Sequence, residues 1–421
     1  MATLYESAGT ARKAVLGFVI FSVLVIAWEG ISSLFTKQPG GTSPQFSYYI
    51  PADLALKNVP PVSIDPIKIS TDITPTYSID RISNQLVSKF PDTAYVYKIE
   101  EPREKLTTVE DAVKTAKTLG FDSECISEDQ YFGIDPKANR CTYKDEQYTW
   151  VASEGTKTLT FNKTTQVWDL ATDYFNNINV KTLGNLNSNL NDYINIGASI
   201  VSRLGFSNGF GLESPYVEYI PADLNNAGAF FKPERDTQAR FVFVQVFRNL
   251  LLAQPKSKTD LEKITTDKEV LNNIPAPLNG NVYSSDPREG QVRMIVGNNG
   301  SQIPRDVFSM KFTDYEYATR GVTKGVYPII NLTEAWTKAS SGKGFLVYLL
   351  PENGNPLETY SNLQVRSFIA DATKTTLGYY ERDTWNGFVS PIFIFKGRAV
   401  LEDGRQASFT IFVDALKRLE S

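Results

Sequence analysis

Apolar and polar positions alternate most cleanly near the C-terminal end of the chain. Phe409, Ile411 and Val413 alternate with Ser408, Thr410 and Asp414, the pattern of a strand with one buried and one wet face. The pattern predicts a hairpin: a strand over 391–400, a turn at Glu402-Asp403-Gly404-Arg405, and a return strand over 406–415. The Asp-Gly step supplies the positive φ that a tight turn needs. Helical spacing is clearest at Val109, Ala112, Val113, Ala116 and Leu119. That run opens on Thr107 and Glu110 in capping-box spacing and stops at Gly120. Strands are predicted next over 147–152, 156–162 and 165–170. A second helix is predicted over 189–204, with strands at 217–220, 240–247, 291–296 and 308–317. A third helix starts at Asn331, with Glu334 three residues on, and ends at Ser340-Ser341-Gly342. Strands follow at 344–350, 365–370 and 377–381. A helix followed by an antiparallel meander, repeated, predicts an α+β fold.

One stretch fits neither period. From Ala14 to Phe35 the chain is almost wholly apolar, interrupted by Glu29. At about 1.5 Å per residue such a helix just crosses a hydrocarbon core of about 30 Å. Arg12 and Lys13 precede it, so the positive-inside rule places the N-terminus in the cytoplasm and the rest outside. A cleaved secretory signal is the alternative, with a poor small-x-small site at Gly30-Ile31-Ser32.

The expected organisation is a cytoplasmic tail (1–13), one transmembrane helix (14–35) and a Pro-rich stalk (36–75). An ectodomain of two or three helix-plus-meander units follows: a first α+β unit (76–184), a middle α+β region (185–325) with an exposed insertion at 254–281, and a C-terminal α+β unit (326–421). The hexapeptide Tyr49-Ile-Pro-Ala-Asp-Leu54 returns as Tyr219-Ile-Pro-Ala-Asp-Leu224, and Leu-Gly-Phe ends both of the first two helical patterns, as in a duplicated unit.

Composition narrows the chemistry. Net charge is -4 with mixed signs, without the basic footprint of a nucleic-acid binder. There is no histidine, which removes Ser-His-Asp and Cys-His catalysis and His-ligated zinc together. Cys125 and Cys141 flank turn formers and, in an exported domain, favour a disulfide over two free thiols. Gly205-Phe-Ser-Asn-Gly209 matches the nucleophile-elbow spelling, but follows a helix and lacks an imidazole. Ser340-Ser-Gly-Lys343 matches S-x-x-K at the end of a helix rather than its start. Asn162, Asn299 and Asn331 head glycosylation sequons, and Asn331 doubles as a helix cap. No catalytic residues, cofactor or metal are expected.

The helix ending in Leu-Gly-Phe, then Tyr148-Thr-Trp150, Thr158-Leu-Thr-Phe161 and Gln166-Val-Trp168, resembles the PepSY-type unit. Thr333-Glu-Ala-Trp336, Leu377-Gly-Tyr-Tyr380, Pro391-Ile-Phe-Ile-Phe395 and Phe412-Val-Asp-Ala-Leu416 extend the likeness. Together these strings, over 105–170 and 326–416, are similar to the single-pass accessory regulators of the Gram-positive cell-wall two-component system. The resemblance implies a non-enzymatic, membrane-anchored regulatory ectodomain acting on an envelope or membrane protein, a sensor kinase being one such partner. A structural subunit of an envelope complex is the alternative, with self-association left open and lipid contact confined to the N-terminal helix. The binding surface is expected in the C-terminal unit, where unpaired sheet edges accept a strand and Tyr379, Tyr380 and Trp385 offer rigid aromatic anchors; core filling against the helix at 333–339 is the alternative for Tyr379 and Tyr380, and less natural for Trp385 in its turn.

Overall fold

The computed structural model describes residues 47–418, apart from 71, 73, 81, 88, 102–107, 122–124, 131–139, 166, 175, 177–179, 181, 187–194, 196–198, 205–214, 298–306, 314–320, 383 and 384. The chain divides into residues 1–47 and 48–421, and the second unit is the one described below.

Among the described residues twenty strands build it. The first seven are β1 (Thr76–Ile79), β2 (Thr93–Lys98), β3 (Ile126–Ser127), β4 (Thr142–Asp145), β5 (Thr149–Glu154), β6 (Lys157–Asn162) and β7 (Val167–Thr172). Then come β8 (Tyr216–Leu224), β9 (Phe230–Phe231), β10 (Phe241–Phe247), β11 (Asn249–Ala253), β12 (Leu278–Tyr283), β13 (Val292–Gly297) and β14 (Val307–Thr313). The last six are β15 (Lys324–Pro328), β16 (Phe345–Pro351), β17 (Val365–Ala370), β18 (Thr376–Tyr380), β19 (Phe388–Leu401) and β20 (Gln406–Asp414).

They form two mixed ten-stranded sheets. The first sheet is organised on β19, which pairs with β2, β17, β18 and β20. Its length, fourteen residues, lets it serve several partners along its two edges. β1 joins β17 and β12 joins β18, both in parallel, so strands from widely separated parts of the chain close this sheet. The second sheet runs β3-β4-β5-β6-β7-β14-β13-β10-β8-β9. Its two halves are meanders, β4 to β7 and then β8, β10, β13 and β14, joined where the last strands β7 and β14 pair antiparallel. Between β10 and β13 the chain leaves to contribute β11 and β12 to the first sheet.

Helices are short by comparison. Val109–Thr118 packs Ala112 and Ala116 into the core of the second sheet, beside Trp150, Phe161 and Leu170. Its N-cap is Thr108, whose hydroxyl accepts from the Asp111 amide, one residue later than the spacing suggested; Thr107 lies outside the described residues. Gly120 stops it at φ 86°, a left-handed conformation that glycine adopts without steric cost. Leu332–Lys338 carries the expected reciprocal box between Asn331 and Glu334. The second helical pattern falls largely outside the described residues.

The expected fold class is thereby corrected. The described residues form a mostly β fold of two mixed sheets, not an α+β ectodomain of helix-plus-meander units. Periodicity identifies strands one at a time, and carries no information on partners hundreds of residues away. The membrane placement is corrected with it: among the described residues no helix is long and apolar enough to cross a membrane. The apolar run 14–35 lies outside them.

The Pro-rich segment from Tyr48 to Ser70 lies along the edges of the first sheet. The Ile50 amide donates to Gln254 O, the Asp53 and Leu54 amides to Val326 O, the Ile67 amide to Leu346 O and the Ser70 amide to Leu363 O. Pro51, Pro60, Pro61 and Pro66 suit such a strap, because a residue without an N–H can cap an edge without extending the sheet. The first copy of the repeated hexapeptide therefore lies in the strap, while the second lies inside β8. Identical letters take different structures because their partners differ.

Candidate functional site

The sequence-derived site residues separate into core and surface. Cys125 and Cys141 form a disulfide with Cα atoms 4.4 Å apart, and the Ile126 amide donates to Cys141 O beside it. The bridge pins the two-residue edge strand β3 to β4. Tyr379 and Tyr380 are not surface anchors: both are buried in β18, which is flanked by β19 and β12. Successive strand side chains point to opposite faces, so both rings are buried because both faces of this sheet are covered. The Tyr379 hydroxyl donates to Tyr95 O and to Leu251 O, each at 3.0 Å. Tyr380 packs with Phe247, Tyr283 and Phe412. Trp385 stands apart, 41% exposed, just before Gly387 at φ 82°. The three aromatics form no common surface cluster.

What the sequence reading missed lies on the second sheet. One face of that sheet, carrying Trp150, Leu159, Phe161, Leu170, Val242, Val244 and Met294, packs into the core shared with the Val109–Thr118 helix. The opposite face carries a polar row running straight across the strands. Thr160 stands opposite Asp169, Asp169 opposite Lys311, Lys311 opposite Arg293, Arg293 opposite Gln245, and Gln245 opposite Glu218. Register alone brings these residues together.

Half of that face is covered. Loop 352–360, which follows β16, brings Leu357 into the same apolar cluster as Phe243 and Ile295 and lines one pocket with them. Asn355 Nδ2 donates to Phe230 O at 2.8 Å. Arg288 fastens the loop from below, its Nη1 donating to Pro356 O and Glu358 O at 2.7 Å each and its Nη2 to Thr359 Oγ1. The same guanidinium is forked onto Asp286. Burial opposes the Arg288 charge, but Asp286, together with Tyr348 and Glu289 nearby, offsets it, so the pKa is raised. A cavity of about 230 Å³ remains beneath this cover.

The other half, over β6, β7 and β14, is open. There a groove of about 520 Å³ is lined by Thr158, Thr160, Asn162, Thr165, Val167, Asp169, Ala171, Arg293 and Lys311. Asn162 Oδ1 accepts from the Thr164 and Thr165 amides, which fixes the β6–β7 turn at the groove's end. Arg293 pairs with Glu289, whereas Lys311 makes no ion pair with any described residue. The groove thus offers hydroxyls, one amide, one carboxylate and two cations on a rigid backbone, suited to polar recognition.

The remaining motif matches are occupied structurally. The Ser340 hydroxyl donates to Thr337 O, and the Ser341 hydroxyl to Lys338 O, at the helix end that turns through Gly342. Among the described residues no group of three or more acidic or cysteine side chains could hold a metal ion. Asn299 and 205–209 lie outside the described residues.

A second unforeseen feature sits where the chain changes sheets. Arg248, between β10 and β11, is 3% exposed and its Nη1 donates to both oxygens of Glu381, at 3.0 and 2.9 Å. The Arg248 amide donates to Gln291 Oε1, and the Glu381 amide to Tyr283 O. The visible signal was one arginine, beside Asn249, in the mainly apolar run Val246-Phe-Arg-Asn-Leu-Leu-Leu-Ala253, since arginine is almost never fully buried unless paired.

A scan against protein-family models finds no match, and a search of curated proteins finds none.

Proposed function

We propose that this chain is a non-enzymatic binding protein, regulatory or scaffolding in role, that engages a protein partner on the open half of its second sheet. The observation that carries this reading is the division of one sheet face: loop 352–360 packs over one part of it, and a polar groove lined by Thr160, Asp169, Arg293 and Lys311 occupies another. The groove is broad and built on paired strands, so a partner meets a preorganised surface and little ordering entropy is lost there on binding. Mixed charge in one row favours register-specific pairing with complementary groups over a generic electrostatic attraction. The absence of histidine from the sequence and the PepSY-type resemblance support a non-enzymatic role.

The test is a photo-crosslinking amino acid at Thr160 in the native host. One polypeptide should be captured, and capture should fall when Lys311→Glu is added. Adducts from Trp385 with none from Thr160 would move the binding surface elsewhere and overturn the reading.

A further inference from the structure

The segment between β11 and β12 forms two short helices, Lys258–Glu262 and Lys268–Asn272. Their buried anchor is Leu261; Ile264, immediately after the first helix, is left 59% exposed. Isolated exposed apolar residues need no explanation. Ile264, however, is one of a contiguous set with Ile274, Pro277, Ile50 and Pro51, which line a groove of about 850 Å³. One wall is the edge-covering strap, held by the Ile50 amide donating to Gln254 O and the Lys256 amide donating to Tyr48 O, so the groove is preformed.

Its rim is basic. Lys256, Lys258 and Lys263 line it against a single carboxylate, Asp260. That carboxylate accepts from Ser257 Oγ at 2.6 Å and is paired with Lys263 Nζ at 2.8 Å, so the excess positive charge of the rim comes from Lys256 and Lys258. Pro51, Pro255 and Pro277 also line the groove and have no backbone N–H to offer an added strand. An occupant is therefore read through side chains, apolar ones into the floor and carboxylates onto the lysines.

We propose that this groove docks a segment of a partner protein that is apolar on one side and acidic at its margins. The site is separate from the open face of the second sheet and stands without it. The probes are two synthetic amphipathic helical peptides, one of Leu and Glu and one of Leu and Lys, titrated by fluorescence anisotropy against the full chain. The Leu/Glu peptide should bind, and the Leu/Lys peptide should not. Lys258→Glu with Lys263→Glu should weaken the Leu/Glu peptide by about tenfold, a loss of about 1.4 kcal/mol, and should let the Leu/Lys peptide bind. Ile264→Asp should abolish binding of the Leu/Glu peptide with an unchanged thermal midpoint, since the side chain is exposed. Equal affinity for the two peptides, or binding indifferent to Ile264→Asp, overturns the proposal. So does sedimentation with phosphatidylglycerol vesicles in place of peptide binding, or a dimer that Ile264→Asp dissociates, because the occupant is then a lipid surface or a second copy.

Discussion

Two aromatic residues a few positions apart illustrate how differently one side-chain type is used. The Tyr379 hydroxyl satisfies two buried backbone carbonyls, and its ring meets Tyr97 edge-on at 5.7 Å. Tyr379→Phe keeps the ring and removes the donor, while Leu251 O keeps the Tyr97 hydroxyl, so it should cost about 1 kcal/mol, the worth of one hydrogen bond, read as a lower urea midpoint. Trp385 is half in solvent, at a turn. Trp385→Ala should leave stability within about 0.5 kcal/mol, as for surface positions generally, while lowering partner capture if the ring is an anchor. An equal loss of stability and capture would assign Trp385 to the core instead.

At the level of elements, the disulfide and the strap perform related tasks at sheet margins. β3 and β9, at the two ends of the second sheet, are two residues each, too short to template another chain themselves, although β9 pairs with only Asp223 and Leu224 of the nine-residue β8. The Cys125–Cys141 bridge closes a loop of sixteen residues. Its reduction should cost about 3 kcal/mol, measured as the shift in urea midpoint between oxidised and reduced protein. The β19–β20 hairpin was legible because alternation and an Asp-Gly turn agree, and the turn does pass through Gly404 at φ 85°. The Asn331 cap was legible for the same reason: its signal is contained within a few residues. β12 was not, because Leu278-Asn-Gly-Asn-Val-Tyr283 has the composition of a turn and becomes a strand only between β11 and β18. The polar groove was equally hidden. Thr160 and Asp169 come from one meander and Lys311 and Arg293 from another, and each is simply the polar member of its own strand's alternation.

For the whole molecule, the Arg248–Glu381 pair stands at the junction of the two sheets and should report on their joint integrity. Arg248→Met leaves a carboxylate buried without its partner and should cost about 3–5 kcal/mol; adding Glu381→Leu should recover most of that loss, because an apolar pair of similar volume avoids the desolvation penalty. A urea series on the single and double variants checks this. Alkali should act on the tyrosines. Burial raises the pKa of Tyr97, Tyr174, Tyr283 and Tyr348, and Tyr216 is pushed up to about 12. Unfolded tyrosines release their protons near about 10, so above that pH the native state holds more protons than the unfolded one. Stability is then full below pH about 10 and falls as pH rises further. Thermal melts across this range, with tyrosinate absorbance followed in parallel, should show ionisation and unfolding together.

The strap has a consequence for synthesis on the ribosome. All strands of the second sheet lie between residues 126 and 313, so that sheet can close while the rest of the chain is still being made. The segment 48–70 and strands β1 and β2 emerge earlier, yet their partners lie as late as β19, and β20 must still pair along β19. The earliest described part of the chain therefore waits longest for its native contacts. A nascent protein truncated before residue 388 should already protect the second sheet from protease, with its N-terminal segment still open to cleavage. Long-range closure of this kind slows folding, so the final slow phase should be the one in which the strap becomes protected.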